Sequence, residues 1–123
     1  MNEASLYQRL GGYDAIAAMV DDFFGRLMGD ELNSRFLTTL ADDRKKRARQ
    51  LTIDFICEAA GGPSLYIGRD MVSSHQGMGI THADWDASVT HFVGTLDGFE
   101  IGDPEKGEAV AFYQSLKGEI VDA

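Results

Sequence analysis

Apolar side chains recur every three or four residues along most of this chain, which is the spacing of one face of an α-helix. The first such stripe comprises Ile16, Met19, Val20, Phe23, Phe24 and Leu27. A second stripe comprises Ala48, Leu51, Thr52, Phe55, Ile56 and Ala59. No segment alternates apolar and polar residues convincingly, as a half-buried strand would. The pattern therefore predicts an all-α fold of about five or six helices.

Capping residues and helix-breaking residues mark where the predicted helices begin and end. A long helix covers about residues 43–60, and a short helix over Asp70 to Ser74 leads into His75. Thr81 and Asp84 have the spacing of a capping box. The other expected N-caps are Ser5, Asp14 and Asp103, the last with a proline at the first helical position. One final helix is expected to carry Val110, Tyr113, Leu116 and Ile120.

Length and composition predict one globular domain over residues 1–123. The chain has 44% hydrophobic and 25% charged residues, which is the balance of an ordinary globular protein. No apolar run is long enough for a membrane span, and Met1-Asn2-Glu3-Ala4 lacks the pattern of an export signal. Cys57 is the only cysteine, which favours a small buried side chain in a reducing, cytoplasmic setting.

The charge of the chain is strongly negative, but its positive charges are concentrated. The formal net charge of −9 argues against nucleic acid as a partner. Five cations nevertheless crowd together, namely Arg44, Lys45, Lys46, Arg47 and Arg49. Two interpretations of this cluster stay open: a solvated helix face, or a cationic rim for an anionic ligand.

His75 is the residue whose surroundings most suggest chemistry. It ends a short amphipathic run, and Gly77 and Gly79 free the backbone before Thr81 opens the next helix. A single imidazole at the end of a short helix, facing large apolar side chains, suits the proximal side of an iron porphyrin. From these residues alone, a structural histidine is the more common alternative. His82 is expected to be exposed, and His91 to be partly buried and structural.

Other metal, nucleotide and nucleophile chemistry fits the sequence poorly. The chain has no His-Glu-x-x-His, no cysteine pair, no calcium-loop spacing and no repeated Glu-x-x-His. It has no phosphate loop, and Gly77-Met78-Gly79 follows no strand, as a dinucleotide loop would. A catalytic pair of Cys57 with a histidine stays open, although nothing in the sequence positions one.

The order and spacing of several motifs resemble the truncated haemoglobins, most closely their first group. The resemblance runs nearly end to end, from Ser5-Leu6-Tyr7 to about Ile120. The landmarks that carry it are Leu10-Gly11-Gly12, Asp21-Asp22-Phe23-Phe24, Phe55 with Gly61-Gly62-Pro63, Tyr66-x-Gly68-Arg69-x-Met71, and His75-Gln76-Gly77-x-Gly79-Ile80-Thr81. The resemblance implies a truncated globin fold, a two-over-two α-helical sandwich around one haem b.

The resemblance also implies roles for individual residues. His75 is the expected proximal ligand, binding iron through Nε2 while its other nitrogen donates to a nearby carbonyl. Arg69 and the cluster from Arg44 to Arg49 are candidates for contacts with the haem propionates, and Tyr66 would order its loop or contact a propionate. The residues expected to wall the haem, with core packing as the alternative, are Phe36, Leu37, Leu51, Phe55, Met71, Ile80 and Trp85.

The distal side is where the chain departs from its relatives. Phe24 stands where many of them place a tyrosine that hydrogen-bonds bound oxygen, and Ala48, Leu51 and Thr52 stand where many place glutamine or histidine. Gln50 should point away from the pocket. Only the hydroxyl of Thr52 remains as a donor, and it can instead bond back to its own helix. Ile56 stands where some relatives line a ligand tunnel, or it simply packs.

These residues predict a haem protein that binds oxygen reversibly and holds it loosely, with carbon monoxide and nitric oxide as further ligands. A nitric oxide dioxygenase or peroxidase-like enzyme is an alternative, but it needs a stable oxygen complex and a reductant. A gas sensor acting through a separate partner, and a helical interaction protein without a cofactor, are further alternatives. A reductase is a candidate partner, whereas nucleic acid and membranes are not expected.

Overall fold

The computed structural model of the protein describes residues 4–121, so part of the N-terminal segment considered for export lies outside the described residues. Within that range the chain is helical and contains no strand. The helices are α1 Leu6–Arg9, α2 Gly12–Met28, α3 Asp42–Ala59, α4 Met71–His75, α5 His82–Gly98, α6 Asp103–Ser115 and α7 Lys117–Ile120, with a 3₁₀ turn at Ser34–Phe36. None of these helices is long and apolar enough to cross a membrane.

Two pairs of helices form the body of the molecule. Helix α2 packs on α3 and helix α5 on α6, and α2 also crosses α5, which makes the predicted two-over-two arrangement. The main core contains Ile16, Met19, Val20, Ile53, Cys57 and Leu96. A second, smaller core contains Ile80, Trp85 and Ile120 and packs against Met71 and Phe36. The fold thus places the short helix α4 beside the second core, which its first residue, Met71, contacts.

Most of the predicted helix boundaries agree with the structure. Ser5 caps α1 in a capping box with Gln8, and Thr81 caps α5 in a capping box with Asp84. Cys57 is completely buried, as expected for a small apolar side chain. Helix α4 begins at Met71 and includes His75, because Asp70 is extended and acts as its N-cap.

Two predicted N-caps are wrong by one or a few residues. Helix α2 follows Gly11, whose left-handed φ of 108° turns the chain directly into the helix, so Asp14 lies in the first turn. Helix α6 follows the extended Gly102, which puts Asp103 and Pro104 inside the helix. Both aspartates still lie where the positive end of the helix dipole favours a carboxylate, which explains why they resembled caps.

The expected single last helix is also wrong, because it is divided near Leu116. Helix α6 ends at Ser115, and Leu116 N–H donates to the carbonyl of Tyr113, which tightens the chain into a 3₁₀-type turn. The short α7 that follows packs against α4 and buries Ile120 beside Trp85. The division therefore supports the helix that carries His75.

Candidate functional site

A cavity of about 860 Å³ lies inside the helical sandwich. Its size is within the roughly 300–1,000 Å³ of small-molecule and cofactor sites. Its lining is mostly apolar and comes from α2, α3, the 3₁₀ turn, α4, α5 and α6. The predicted site residues outside the basic cluster all line this one cavity, namely Phe24, Phe36, Leu37, Ala48, Leu51, Thr52, Phe55, Tyr66, Arg69, Met71, His75, Ile80 and Trp85.

His75 is held at the cavity by the shape of the chain around it. It is the last residue of α4, and Gly77 and Gly79 take left-handed φ values of 80° and 75° just after it. Residues with side chains rarely adopt such angles, so the glycines let the chain leave α4 abruptly. The imidazole is partly buried and faces the cavity rather than the core.

The hydrogen bonds of His75 define which ring nitrogen is free. Its Nδ1 lies 2.9 Å from the carbonyl oxygen of Met71 and 2.9 Å from Ser74 Oγ. A carbonyl oxygen can only accept a hydrogen bond, so Nδ1 carries the proton and donates a hydrogen bond to the Met71 carbonyl. Nε2 therefore keeps its lone pair, which is the tautomer that binds a metal through Nε2. The carbonyl partner expected from the sequence is thus Met71.

Ser74 is a residue of this site that the sequence analysis missed. Its hydroxyl donates to the Met71 carbonyl at 3.2 Å, which leaves its oxygen free to accept from Nδ1 of His75. The ring orientation of His75 is therefore fixed by two partners on its own helix. A serine next to a histidine near a helix end is a weak signal for this bond, because serine often bonds back to a carbonyl three residues earlier.

Aromatic rings make one wall of the cavity. The ring of Tyr113 stacks between Trp85, with centroids 4.7 Å apart, and Phe92, at 4.4 Å. The Tyr113 hydroxyl donates to Ser88 Oγ at 2.9 Å, and burial raises the pKa of Tyr113 to about 12. The apolar spacing of the sequence predicts Tyr113 on a helix face but gives no signal for a place in the site. Three stacked aromatic rings therefore form a flat apolar wall.

The hydroxyl groups that line the cavity are already engaged. Thr52, the single expected distal donor, donates to the Ala48 carbonyl at 2.7 Å. Ser88 donates to the Trp85 carbonyl, and Thr95 donates to Asp22. The Tyr66 hydroxyl donates to the Arg69 carbonyl, which orders the loop before α4. Among the described residues, the one buried side-chain donor atom without a hydrogen bond is Asn33 Nδ2, in the loop after α2.

Gln50, which precedes Leu51 on α3, points away from the cavity as predicted. Its side-chain amide donates to the Tyr13 hydroxyl at 2.9 Å and to Asp54 on its own helix. Phe24 lines the cavity from α2, and Leu51 lines it from α3. Of the positions that the resemblance assigns to the distal pocket, Phe24, Ala48 and Leu51 therefore carry no polar hydrogen, and the Thr52 hydroxyl is engaged by its own helix.

The basic cluster divides into members that line the cavity and members that do not. Arg44 and Arg47 line it, together with Arg69 from the loop before α4. Arg49 instead forms an ion pair with Asp21 of α2, with Nε and Oδ1 2.5 Å apart. Lys45 and Lys46 do not contribute to the lining. Successive helical residues point in different directions, so Arg44 and Arg47 stay candidates for contacts with a ligand in the cavity, whereas Lys45 and Lys46 lie outside its lining and Arg49 is paired.

The other histidines and the cysteine lie away from the cavity lining. His82 is exposed in the first turn of α5, and His91 Nε2 lies 2.5 Å from Asp30 Oδ2, so both agree with their expected roles. Burial raises the pKa of the Cys57 thiol, which disfavours the thiolate that a nucleophile needs. Over residues 4–121 no cluster of three His, Cys, Asp or Glu side chains is arranged to hold a metal ion.

A two-over-two helical fold with one histidine facing an apolar cavity is the architecture of a small globin, and the comparisons with known proteins agree. The family model for bacterial-like globins matches residues 5–122. A group 1 truncated haemoglobin of Mycolicibacterium paratuberculosis is 32% identical over 95% of this chain and 84% of its own length. One from Tetrahymena pyriformis is 27% identical over 95% of this chain and 94% of its own.

Solved structures give the same answer. The Fe(III) form of the Tetrahymena pyriformis truncated haemoglobin, in a variant with one tyrosine replaced by phenylalanine, has a TM-score of 0.87 at 26% identity and covers 96% of this chain and 98% of its own. The two-over-two haemoglobin of Synechococcus, in its cyanomet state with covalently attached haem, has a TM-score of 0.84 at 30% identity, covering 94% and 95%. The chain belongs to the bacterial-like globins and is a haem-binding globin of the truncated, group 1 type.

Proposed function

We propose that this globin binds oxygen reversibly, together with carbon monoxide and nitric oxide, at the iron of one haem b that His75 ligates through Nε2. The observation that carries the proposal is the engagement of His75 Nδ1 by Met71 and Ser74 at the wall of an apolar cavity, which leaves Nε2 as the ring nitrogen for a metal. The residue types present suit the group, because a porphyrin needs one axial imidazole, a flat apolar pocket and cations for its two carboxylates.

The parts of the chain then have distinct tasks. A haem held by His75 and the apolar walls would supply an iron centre able to bind a diatomic ligand. The apolar walls, among them Phe36, Phe55 and Trp85, bury the porphyrin faces and exclude water. Arg44, Arg47 and Arg69 are exposed at the edge of the lining, where their charges can meet the carboxylates. Tyr66 positions Arg69 indirectly, because its hydroxyl donates a hydrogen bond to the Arg69 carbonyl.

The distal pocket makes this a site that releases oxygen readily. A side-chain donor in the pocket would stabilise a polar ligand held there, and a hydrogen bond to a charged group contributes roughly 1.5–3 kcal/mol. Phe24, Ala48 and Leu51 offer no such donor, and the hydroxyl of Thr52 is taken by the Ala48 carbonyl. Fast release supports reversible binding over a reaction that consumes the bound oxygen.

The experiment that tests the proposal is a cycle of oxygenation and deoxygenation. The purified ferrous protein should show a Soret band that shifts on exposure to oxygen and returns under argon over several cycles. Nitric oxide should then be added to the oxygenated form, because rapid stoichiometric conversion to nitrate would favour the dioxygenase alternative. A Soret band that does not respond to oxygen would contradict the proposal.

Three wider features belong to the same proposal. Residues 1–123 make one truncated globin domain. The single cysteine, Cys57, is a buried free thiol, which suits a reducing compartment such as the cytoplasm. A reductase is needed to return oxidised iron to the ferrous state.

A further inference from the structure

One buried hydrogen-bond donor in the wall of the cavity has no partner. Asn33 follows α2, is 7% exposed and contributes to the cavity lining. Its Nδ2 is the one buried side-chain nitrogen or oxygen atom over residues 4–121 that makes no hydrogen bond. A buried donor without a partner destabilises a fold, so each such group in a native structure calls for an explanation. A ligand that enters the cavity would give Asn33 the acceptor it lacks.

Asp30 offers the Asn33 amide a second possible acceptor, one helical turn away. The Ser34 N–H donates to the Asp30 carbonyl at 2.8 Å, which closes a turn of the α-helical kind and places side chains three residues apart on one face. His91 and the Leu32 N–H lower the pKa of Asp30 most, and the Asn33 side chain lowers it further. The Asn33 amide therefore lies near the Asp30 carboxylate without being bonded to it.

Other donors hold the Asp30 carboxylate. Its Oδ2 lies 2.5 Å from Nε2 of His91 on α5, and its Oδ1 accepts the Leu32 N–H at 2.7 Å. The side chains of Asp30 and His91 are 19% and 24% exposed, so solvent protons reach this pair. Histidine is the side chain that ordinarily changes charge between pH 5 and 8, and its bond to a carboxylate is stronger when the ring is charged. The competition for the Asp30 carboxylate therefore depends on pH.

The other charged groups that contact α5 have partners of their own. They come from the 3₁₀ turn, α2 and α6, and their ion pairs are Arg35 with Asp84, Arg26 with Asp22, and Lys106 with Asp97. Glu31, beside Asp30 in the chain, is exposed. Within the described part of the chain, Asp30 is the one carboxylate that pairs with His91. A change in the charge of His91 is therefore felt first by Asp30.

We propose that Asn33 is the hydrogen-bond donor that a small acceptor ligand meets in the cavity, and that Asp30 controls this donor by exchanging His91 for Asn33. With His91 protonated, Asp30 stays on the imidazolium, and the Asn33 amide is free to donate into the cavity. With His91 neutral, the weaker bond yields and the amide turns to Asp30. The inference rests on the proposed function, since the acceptor is the diatomic ligand of that proposal.

The composition of the lining favours Asn33 as this contact. The buried or half-buried hydroxyls of Thr52, Ser88 and Thr95 all donate to protein acceptors already. The Asn33 carbonyl accepts the Phe36 N–H at 3.2 Å, so the amide lies within one turn of a ring that lines the same cavity. The arginines of the lining are exposed at its edge, where they suit haem carboxylates. Among the buried lining side chains, the Asn33 amide is thus the donor left for a ligand.

The test is the rate of oxygen release from the haem-loaded ferrous protein at about pH 5.5 and about pH 8.5, measured by stopped-flow displacement with carbon monoxide. Release should be about two- to tenfold slower at the lower pH, because one hydrogen bond is gained there. His91→Gln and Asn33→Leu should release oxygen at the faster rate at both pH values. His82→Gln is the matched control, because it removes an exposed imidazole from the same helix, and it should keep the pH dependence.

A second readout follows the exchange of partners directly. In the isotope-labelled, diamagnetic carbon monoxide form, the side-chain NH₂ resonances of Asn33 should titrate with the same midpoint as the ring protons of His91. They should not move over this pH range in His91→Gln, and they should move as in the wild type in His82→Gln. A purely structural role of Asn33 would give no such shared midpoint.

The outcomes separate this proposal from the proposed function. A wild-type release rate that is equal at the two pH values would overturn it, and so would equal loss of the pH dependence in His82→Gln and His91→Gln. Asn33 resonances that titrate with a midpoint different from that of His91 would overturn it too. In each of these cases a Soret band that still shifts reversibly with oxygen would leave the proposed function standing. Failure of the wild type to bind oxygen at either pH would instead remove the proposed function itself.

Discussion

Side chains on the two sides of the cavity differ sharply in what they offer to an iron-bound ligand. On one side, Met71 and Ser74 fix the imidazole of His75 so that Nε2 is available. On the other side, Phe24 has no hydrogen to donate, and the hydroxyl of Thr52 is committed to the Ala48 carbonyl. Under the proposed function, Met71 and Ser74 would orient the imidazole that binds iron, while Phe24 and Thr52 would offer its ligand no hydrogen bond. Ligand release is where this asymmetry is measurable.

A hydroxyl introduced at position 24 should slow oxygen release. In Phe24→Tyr, the new hydroxyl would lie in the cavity from α2 and donate to bound oxygen. A gain of roughly 1.5–3 kcal/mol corresponds to oxygen dissociation about 10- to 100-fold slower if the whole effect falls on dissociation. Stopped-flow displacement of oxygen by carbon monoxide measures the rate. Phe24→Leu controls for the change of volume, and equal rates in wild type and Phe24→Tyr would contradict the account.

The short elements around the cavity are stabilised by packing and by ion pairs with neighbouring elements, because they are too short to be stable alone. Helix α4 has only five residues, too few to be stable alone, so packing against α7 holds it in place. The 3₁₀ turn that carries Phe36 is tied to α5 by Arg35, whose guanidinium binds both carboxylate oxygens of Asp84 at 2.6 and 3.0 Å. Asp84 is 2% exposed, and the same guanidinium lies 4.2 Å from the centre of the Phe36 ring. This pair joins two walls of the cavity.

Removing the charge of Asp84 should loosen those walls in a pH-dependent way. The Arg35 guanidinium lowers the pKa of Asp84 from 3.8 to about 2. A carboxylate with a lowered folded-state pKa stabilises the fold above its unfolded-state pKa and loses that contribution as the pH falls through its folded-state pKa. Asp84→Asn should therefore lower the melting temperature by about 5 °C at neutral pH.

The pH dependence provides the sharper form of this prediction. Urea unfolding from pH 7 to pH 2 should show the stability difference between wild type and Asp84→Asn constant above about pH 4 and shrinking toward pH 2. Asp86→Asn is the matched control, because Asp86 lies exposed on the same helix and has no ion pair within residues 4–121. A difference that stays constant to pH 2 would show that the Asp84 charge does not matter.

At the scale of the whole molecule, the fold surrounds a large apolar cavity with a single histidine. His82 and His91 lie outside its lining, and Leu51 occupies the α3 position where some relatives offer a histidine. The ferrous iron should therefore be five-coordinate and high-spin at neutral pH, open to ligands without displacement of a side chain. Optical and resonance Raman spectra of the deoxygenated protein measure this. A low-spin, bis-histidine spectrum would be incompatible with the arrangement of the helices.

The sequence predicted the elements of this fold better than their ends. Apolar stripes specify helix interiors because they depend only on spacing, and α2 and α3 follow them closely. The starts of α2 and α6 depend on the backbone angles of Gly11 and Gly102, which composition does not fix. The break at Leu116 similarly depends on packing of α7 against α4.

Most residues of the candidate site could be named from the sequence because the resemblance supplied their three-dimensional relationship. What it could not supply were bonds specific to this chain. The Thr52 hydroxyl had two possible partners, and only the geometry of α3 selects the Ala48 carbonyl. Arg49 looked like a member of the rim, but it pairs with Asp21, a residue 28 positions away in sequence. Ser74 bonds to His75 through side-chain rotamers that no spacing rule predicts.

The most direct test of the account is haem uptake by His75→Ala. The account predicts that this variant takes up haem poorly, lacks the five-coordinate histidine spectrum of the ferrous wild type, and recovers that spectrum when free imidazole is added. Haem uptake and a ferrous spectrum identical to those of the wild type, measured without added imidazole, would contradict it.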